Sequence, residues 1–222
     1  MTPQSALNDT GTHYLLRYAA GFFPMADHCD QRDILWHNPD KRAILPIRDL
    51  HVAKSLRRAV LRSAYDIRVD TAFAEVIRAC AENRDFSWLN ETIQDAFIGL
   101  HRAGYAHSVE CWTPDGRLAG GVYGLALGAA FCGESMFSRE PGASKIALVH
   151  LCARLAAGGF TLFDSQIYND HTGRFGAHDI PRAAYMERLH TALQTRADFH
   201  LSAFPQMTTR NLVDRLFSCG KS

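Results

Sequence analysis

Residues 106–137 read AHSVECWTPDGRLAGGVYGLALGAAFCGESMF, and the fold is decided in this stretch. A first apolar run ends at Trp112 and is followed by Thr-Pro-Asp-Gly, a sequence typical of tight turns. The pattern predicts a hairpin that turns at Asp115–Gly116 and a second reversal at Gly128. Three successive strands are therefore expected to lie side by side in a mostly antiparallel sheet.

Helices and further strands are expected on both sides of this stretch. Helices are predicted over residues 6–20, from Asp49 to about Ser63, after a cap at Asp70, from about Asn90 to Arg102, over 143–157, and after Asp179-Ile180-Pro181. Strands are predicted at ILWH, RAILPI, IRVD, FTLFDSQI and FHLSAFP. A mixed sheet with flanking helices belongs to the α+β class.

Composition excludes several classes of protein. The chain has 222 residues, 47% of them hydrophobic and 21% charged, which suits a globular domain rather than a disordered chain or a coiled coil. The longest uncharged stretch, residues 118–133, is shorter than the roughly 20 residues of a membrane helix. The N-terminus lacks the features of a signal peptide, so a cytosolic protein without a membrane partner is expected.

The six cysteines are scattered and form no C-x-x-C motif, so reduced, structural thiols are expected. The eleven histidines show no spacing typical of zinc sites, and no catalytic metal is expected.

Charge is concentrated in one segment. The whole chain carries a net charge of +1, but residues 41–62 contain seven basic residues and one acid, a net +6. Such a segment is typical of a surface that binds a polyanion, although a solvated helix face gives the same pattern. The change in composition after this segment places a domain boundary at residue 62, giving domains 1–62 and 63–222.

Three polar residues stand inside apolar strands. Glu134 lies in FCGESMF, and Asp164 and Gln166 lie in LFDSQI, two positions apart and therefore on one face of a strand. A carboxylate in such a place needs a partner, either in a catalytic site or in a structural network. Trp36 and Trp88 stand among polar residues, where they could stack on a base or simply fill the core.

Several segments together resemble the bacterial leucyl/phenylalanyl-tRNA–protein transferases. They are YAAGFFPMAD, ILWHNPDKRAIL, GLHRAGYAHSVECW, GGVYG, FCGESMFSREPGASKIAL and FDSQIYNDHTGRFGAHDIPRAAY, in this order between about residues 18 and 189. The resemblance implies a small N-terminal α/β domain, followed by a catalytic domain with an acetyltransferase-like (GNAT) mixed sheet. It also implies transfer of Leu, Phe or Met from aminoacyl-tRNA to the N-terminal Arg or Lys of a protein, which marks that protein for N-degron degradation.

The resemblance also implies roles for individual residues. Glu134, Asp164 and Gln166 correspond to the catalytic positions, with Glu134 holding either the donor's amine or the acceptor's side chain. Residues implied to hold the aminoacyl-adenosine are Trp36, Trp88, Val122, Met136, Leu148 and Leu151. Residues implied to contact tRNA are Arg42, Lys54, Arg57, Arg58 and Arg62. Met25 and His37 depart from the family pattern, since some relatives carry tryptophan there.

The chemistry of such a transfer needs no cofactor, because the aminoacyl ester of the tRNA is already activated. Two alternatives stay open at this point. An acetyl-CoA-dependent N-acetyltransferase of the same fold would use a glycine-rich loop at a helix N-terminus, for which PGASK is a poor match. An adaptor that binds tRNA or degrons would bind without turnover.

Overall fold

The computed structural model describes residues 7–26, 34–62, 64–82 and 89–219. The helices are α1 (Asp9–Ala19), α2 (Lys54–Arg62), α3 (Phe73–Glu82), α4 (Glu91–Arg102), α5 (Ala143–Ala157), α6 (Asp170–Gly173), α7 (Arg182–Gln194) and α8 (Thr209–Cys219). The strands are β1 (Phe23–Met25), β2 (Leu35–His37), β3 (Lys41–Ile44), β4 (Asp66–Val69), β5 (Ala106–Trp112), β6 (Leu118–Leu127), β7 (Ala130–Ser138), β8 (Leu162–Gln166) and β9 (His178–Pro181).

Seven strands form one mixed sheet in the order β4-β5-β6-β7-β8-β3-β9, while β1 and β2 form a separate hairpin. Neighbours in the large sheet are antiparallel except β7 and β8, which are parallel. The parallel pair follows from the chain connection, since α5 lies between these two strands and returns the chain to the same end. The predicted α+β architecture is confirmed.

The sheet buries apolar side chains on both faces. Because successive residues of a strand point to opposite sides, Val122 joins the cluster around α5, whereas Tyr123 packs with α3 and α4. Gly120 allows α5 to approach closely: a Cβ there would lie 2.6 Å from the Cβ of Ala143. The close contact between this helix and the sheet therefore depends on the absence of a side chain at Gly120.

Local signals placed several elements correctly. The hairpin turns at Asp115–Gly116, α5 spans the predicted residues, and Gly21 and Gly104 follow helices with positive φ. The Asn90 side chain caps α4 by accepting a hydrogen bond from the Ile93 N–H at 2.9 Å. In the part of the chain that the structure describes, Cys111, Cys132 and Cys152 are buried free thiols, as expected, and Cys80 is buried as well; Cys29 lies outside it.

Two predicted helix starts are wrong. Helix α2 begins at Lys54, five residues after Asp49. Asp70 does not cap α3, because its backbone has a left-handed φ of 58°. Its carboxylate instead accepts hydrogen bonds from the backbone N–H of Ser108 and the ring of His107. Glu110, from the neighbouring strand, accepts the N–H groups of Thr71 and Ala72 ahead of α3 instead.

The C-terminal third also differs from expectation. Residues 178–181 form β9, which pairs with β3, and Pro181 is the N-cap of α7 without a side-chain hydrogen bond. FHLSAFP forms turns instead of a strand, because the Asp198 carboxylate accepts the N–H groups of His200 and Ser202. Helix α8 was not anticipated.

Strand β3 bears on the domain division at residue 62. It lies between β8 and β9, so a strand from before residue 62 pairs with two strands from after it. The division therefore runs through the sheet and stays a prediction. Among the described residues, no helix has both the length and the apolar character that crossing a bilayer requires.

Candidate active site

A cavity of about 580 Å³ opens beside β7 and β8. Its apolar lining residues include Phe23, Met25, Leu45, Val122, Met136, Phe137, Leu148 and Phe163. Its polar lining residues are Glu134, Ser135, Ser138, Ser144, Ser165, Gln166, Asn169, His171 and Thr172. The volume is in the range of small-molecule sites, and an apolar cavity with a few polar groups is their common form.

Glu134 reaches this cavity because of an irregularity in β7. Tyr123 of β6 pairs with Ser135 and Gly124 pairs with Gly133, so Glu134 has no opposite residue. The extra residue of such a bulge bends the strand and redirects a side chain. Glu134 is thereby buried to 9% exposure at the wall of the cavity rather than directed by the simple alternation of the strand.

The two carboxyl oxygens of Glu134 have different surroundings. Oε1 accepts hydrogen bonds from the Tyr18 hydroxyl at 2.8 Å and the Gln166 amide nitrogen at 3.0 Å. Oε2 is buried and, among the described residues, has no hydrogen-bond partner. Burial raises the pKa of Glu134 to about 8, although the hydrogen bonds from Tyr18 and Gln166 favour the ionised form. One carboxyl oxygen is therefore available to a ligand that can neutralise it.

Gln166 ends β8 in an uncommon backbone conformation. Its φ is 63°, a left-handed value that residues other than glycine seldom adopt. Its N–H donates to the Asp164 Oδ1 at 2.8 Å, while its side chain lies against the cavity and bonds Glu134. Left-handed backbone in a non-glycine residue often accompanies functional sites, where the surrounding contacts maintain it.

Asp164 is saturated with hydrogen bonds. Its carboxylate accepts two bonds from Arg42, at 2.8 and 2.6 Å, one from the Tyr185 hydroxyl at 2.8 Å and one from Gln166. It is fully buried and does not line the cavity. The expectation that Asp164 and Gln166 face the same surface is therefore wrong, because the chain turns into left-handed backbone at Gln166. Asp164 supports the cavity from behind.

Arg42 does not lie with the other basic residues. It is 1% exposed, and its guanidinium packs between the rings of Phe23 and Tyr185, 4.4 and 4.5 Å from their centres. Burial alone would lower the pKa of Arg42, but the ion pair with Asp164 outweighs it and raises that pKa. The prediction that Arg42 contacts tRNA is wrong, because a fully buried guanidinium cannot reach a phosphate.

The other four residues expected to contact tRNA lie on α2. Lys54, Arg58 and Arg62 are exposed, and Val60 is the buried residue of the helix. Arg57 is half-buried, with its guanidinium 4.6 Å from the ring centre of Phe217 in α8.

Only some of the residues expected to bind the aminoacyl-adenosine line the cavity. Val122, Met136 and Leu148 line the cavity, whereas Leu151 is buried in the core and does not. Trp36 contacts Tyr14 and Tyr18 edge-on, next to the guanidinium of Arg17, outside the cavity wall. Trp88 lies outside the described residues.

Sequence reasoning missed Tyr18, Tyr185 and the true contacts of Arg42. Tyr18 is 116 positions from Glu134 and Tyr185 is 21 positions from Asp164, in other elements of the fold. A buried position on a helix face was the sole local signal that either tyrosine carried.

Comparisons with known proteins identify the family of this chain. The family model described as leucyl/phenylalanyl-tRNA protein transferase matches residues 44–190. A protein of that name from Paramagnetospirillum magneticum is 53% identical over 193 residues, covering 85% of this chain and 92% of the relative. Another from Phenylobacterium zucineum is 48% identical, covering 82% and 84%, and one from Nitrobacter winogradskyi is 46% identical, covering 90% of each. The chain belongs to the leucyl/phenylalanyl-tRNA–protein transferase family.

Proposed function

We propose that this protein transfers Leu, Phe or Met from aminoacyl-tRNA to the N-terminal Arg or Lys of an acceptor protein. The observation that carries the proposal is the cavity itself, which apolar side chains line together with the hydrogen-bonded pair Glu134 and Gln166. The apolar lining suits an unbranched or branched hydrocarbon or an aromatic side chain. The polar groups suit an amine that must be oriented and kept close to the ester.

The reaction balances without a cofactor. The acceptor's neutral α-amine attacks the aminoacyl carbonyl, a C–N bond forms, and the C–O bond to the ribose breaks. One amine proton ends on the ribose oxygen. Because a free α-amine has a pKa of about 7.7 to 8.0, a useful fraction is neutral near pH 7, and orientation contributes more than basicity.

Gln166 is the orienting group in this scheme. Its amide lies in the cavity within hydrogen-bond distance of Glu134, and an amide neither gains nor loses a proton near neutral pH. Asp164 acts indirectly: it fixes the Gln166 backbone and has no contact with the cavity. Asp164 is therefore a positioning residue in this scheme, whereas the resemblance implied a catalytic position.

Glu134 binds a cationic group of a substrate. Near pH 7 its carboxyl holds a proton, since burial raises its pKa to about 8. A substrate ammonium next to the unpartnered Oε2 would favour the ionised form and so form a charge-assisted hydrogen bond. The two candidate ligands of Glu134 are the donor's α-amine and the acceptor's basic side chain. If Glu134 binds the donor, the Glu134→Gln variant should no longer discriminate against donors that lack the α-amine. If it binds the acceptor, the variant should no longer discriminate against acceptors that begin with Gln.

The exposed cations of α2, namely Lys54, Arg58 and Arg62, bind the tRNA backbone in this proposal, and Trp36 and Trp88 hold the terminal adenosine.

The parallel pair β7–β8 with its intervening helix α5 supports an acetyltransferase-like (GNAT) fold. Charged tRNA is a cytoplasmic substrate, so the cytoplasm is the proposed site of action, and the modified N-terminus serves as a degradation signal.

The test uses purified protein, labelled Phe-tRNA and a peptide that begins with Arg. A peptide one phenylalanine heavier is expected, with the same peptide beginning with Gln as the matched poor acceptor. Extension by an acetyl group from acetyl-CoA would instead support the acetyltransferase alternative, which the family assignment does not favour. Binding of Phe-tRNA with no product at any enzyme concentration would overturn the proposal in favour of an adaptor.

A further inference from the structure

A second cluster of ligand-type side chains lies away from the cavity. Asp70 follows β4, His107 belongs to β5, and His200 lies in the turns between α7 and α8. One carboxylate oxygen and one ring nitrogen from each histidine lie within 4.8 Å of one another. None of the three lines the cavity, so the proposed transfer does not use them.

We propose that Asp70, His107 and His200 bind a zinc ion that joins the segment before α8 to the edge of the sheet. Two imidazoles and one carboxylate are a donor set that Zn²⁺ accepts. His200 is 60% exposed, so a fourth position is open to solvent.

The distances are close to those of a coordinated ion. His107 Nδ1 lies 2.8 Å and His200 Nε2 lies 4.0 Å from the same oxygen, Oδ2 of Asp70. Ligands about 2.1 Å from a tetrahedral zinc lie roughly 3.4 Å apart. Shifts of roughly half an ångström, outward for His107 and inward for His200, bring both ring nitrogens to that distance from Asp70 Oδ2. The two ring nitrogens lie within 4.8 Å of each other, and the exposed His200 side chain is free to move closer to His107.

Neighbouring groups already orient the ligands. The Ser108 N–H donates to Asp70 Oδ1 at 2.8 Å, and Oδ2 faces His107 Nδ1 at 2.8 Å, so a zinc ion would replace the hydrogen bond between Asp70 and His107. The His107 ring stacks on Phe199 with centres 4.1 Å apart, so its plane is fixed. Asp70 has a left-handed φ of 58°, a conformation that turns its carboxylate toward β5. Such supporting contacts are typical of metal sites, where they set the direction of each ligand.

Two further groups limit the site. His101 Nδ1 lies 3.9 Å from Asp70 Oδ1, but it is hydrogen-bonded to the Ala106 carbonyl at 2.8 Å and is not a fourth ligand. Arg154 of α5 donates to the Phe199 carbonyl at 2.9 Å, and its positive charge is attracted by Asp70. Because this guanidinium repels a cation, we expect micromolar rather than picomolar affinity.

The consequence lies in the C-terminal segment. Residues 199–207 have no strand or helix and lead into α8, which packs on α5 and α2. An ion held by His200 would fasten this segment to β4 and β5 and so stabilise α8 beside the basic helix. Its role is structural, and aminoacyl transfer does not pass through it.

The experiment titrates tag-free protein, stripped with a chelator, with Co²⁺ and then Zn²⁺ at about pH 8, where most histidines are neutral. We expect visible cobalt absorption at one equivalent, its displacement by Zn²⁺, and a zinc-dependent rise in Tm of roughly 5–10 °C at saturating metal. His200→Ala and Asp70→Asn should weaken binding by more than about tenfold. The matched control is His190→Ala, since this exposed histidine of α7 hydrogen-bonds only with Gln194 among the contacts described for it.

Three outcomes overturn the proposal: no stoichiometric binding in the wild type, binding that survives in His200→Ala, or equal loss in His190→Ala. The last two would identify adventitious surface binding. Wild-type Phe transfer measured on the same samples keeps this result separate from the proposed function, because either can fail without the other.

Discussion

Arg42 and Asp164 form a buried bidentate ion pair between residues 122 positions apart, with N–O distances of 2.8 and 2.6 Å. The same guanidinium donates to the Gly21 carbonyl at 3.0 Å. This one side chain therefore connects the loop that follows α1 to the strand that positions Gln166.

Removing one partner of such a pair leaves an uncompensated buried charge, so Arg42→Met should cost about 3–5 kcal/mol of folding stability.

Tyr185→Phe tests the same network with less damage to the fold. It removes one hydrogen bond to the Asp164 carboxylate and keeps the ring, so a stability loss of about 1.5–3 kcal/mol is expected. The turnover number should fall about tenfold or more, with the KM for aminoacyl-tRNA unchanged within about twofold, because Asp164 aligns Gln166 without touching the donor.

A double-mutant cycle with Gln166→Ala decides whether Tyr185 acts through Gln166. Once Gln166 is gone, Tyr185→Phe should no longer change the turnover number of the folded enzyme. Equal losses with and without Gln166 would mean that Tyr185 affects turnover independently of Gln166, and no loss in either background would mean that Tyr185 serves stability alone. The control is Arg182→Lys, which alters an exposed ion pair with Asp40 near the same strand and should be silent.

Glu134 makes stability depend on pH. Its pKa is about 8 in the folded protein and near 4.5 when the chain is unfolded, so the folded state holds the proton over this window and the unfolded state does not. The stability contribution therefore decreases as pH rises from about 4.5 to 8. Glu134→Gln should remove this decrease and stabilise the protein at pH 8.5 relative to pH 5.5 by about 3 kcal/mol compared with wild type. Urea unfolding at both pH values measures it; identical pH dependence in the two proteins would contradict a protonated Glu134.

Leu148 and Leu151 provide a matched pair for the donor pocket. Both lie on α5 and are 1% exposed, but Leu148 lines the cavity and Leu151 does not. Leu148→Ala and Leu151→Ala should each cost about 2–5 kcal/mol of stability. Leu148→Ala alone should raise the KM for Phe-tRNA or change the Leu-to-Phe preference in steady-state transfer assays. An equal change in both variants would place the side-chain pocket elsewhere.

The tRNA surface on α2 is tested by salt dependence. Replacing Arg58 and Arg62 with Ala should weaken the binding of tRNA and flatten the slope of log K against log salt by roughly 0.7–0.9 per lost phosphate contact. These residues are preferred to Arg57, which also packs on Phe217. Arg78→Ala, an exposed change on α3, serves as the charge control. An unchanged slope in the double variant would mean that the basic face is simply solvated.

The sequence by itself determined the elements that short-range interactions specify. Asp115–Gly116 turns the hairpin, Asn90 and Gly104 bound α4, and α5 ends at its glycine pair, because caps and turns depend on a few neighbouring residues. The segments that resemble the family were also sufficient to identify it, because each motif is contiguous in the sequence, and two residues within them, Glu134 and Gln166, line the cavity.

Only the tertiary structure decided which of Glu134, Asp164 and Gln166 line the cavity and which is buried behind it. A bulge opposite Tyr123 and Gly124 turns Glu134 into the cavity, and a left-handed residue at Gln166 separates it from the buried Asp164. Arg42, read from its neighbours as part of a basic surface, is buried because β3 enters the sheet beside β8. Charge and periodicity along a chain do not report which distant strand will pair with it, and burial and the pKa values that depend on it are set by that pairing.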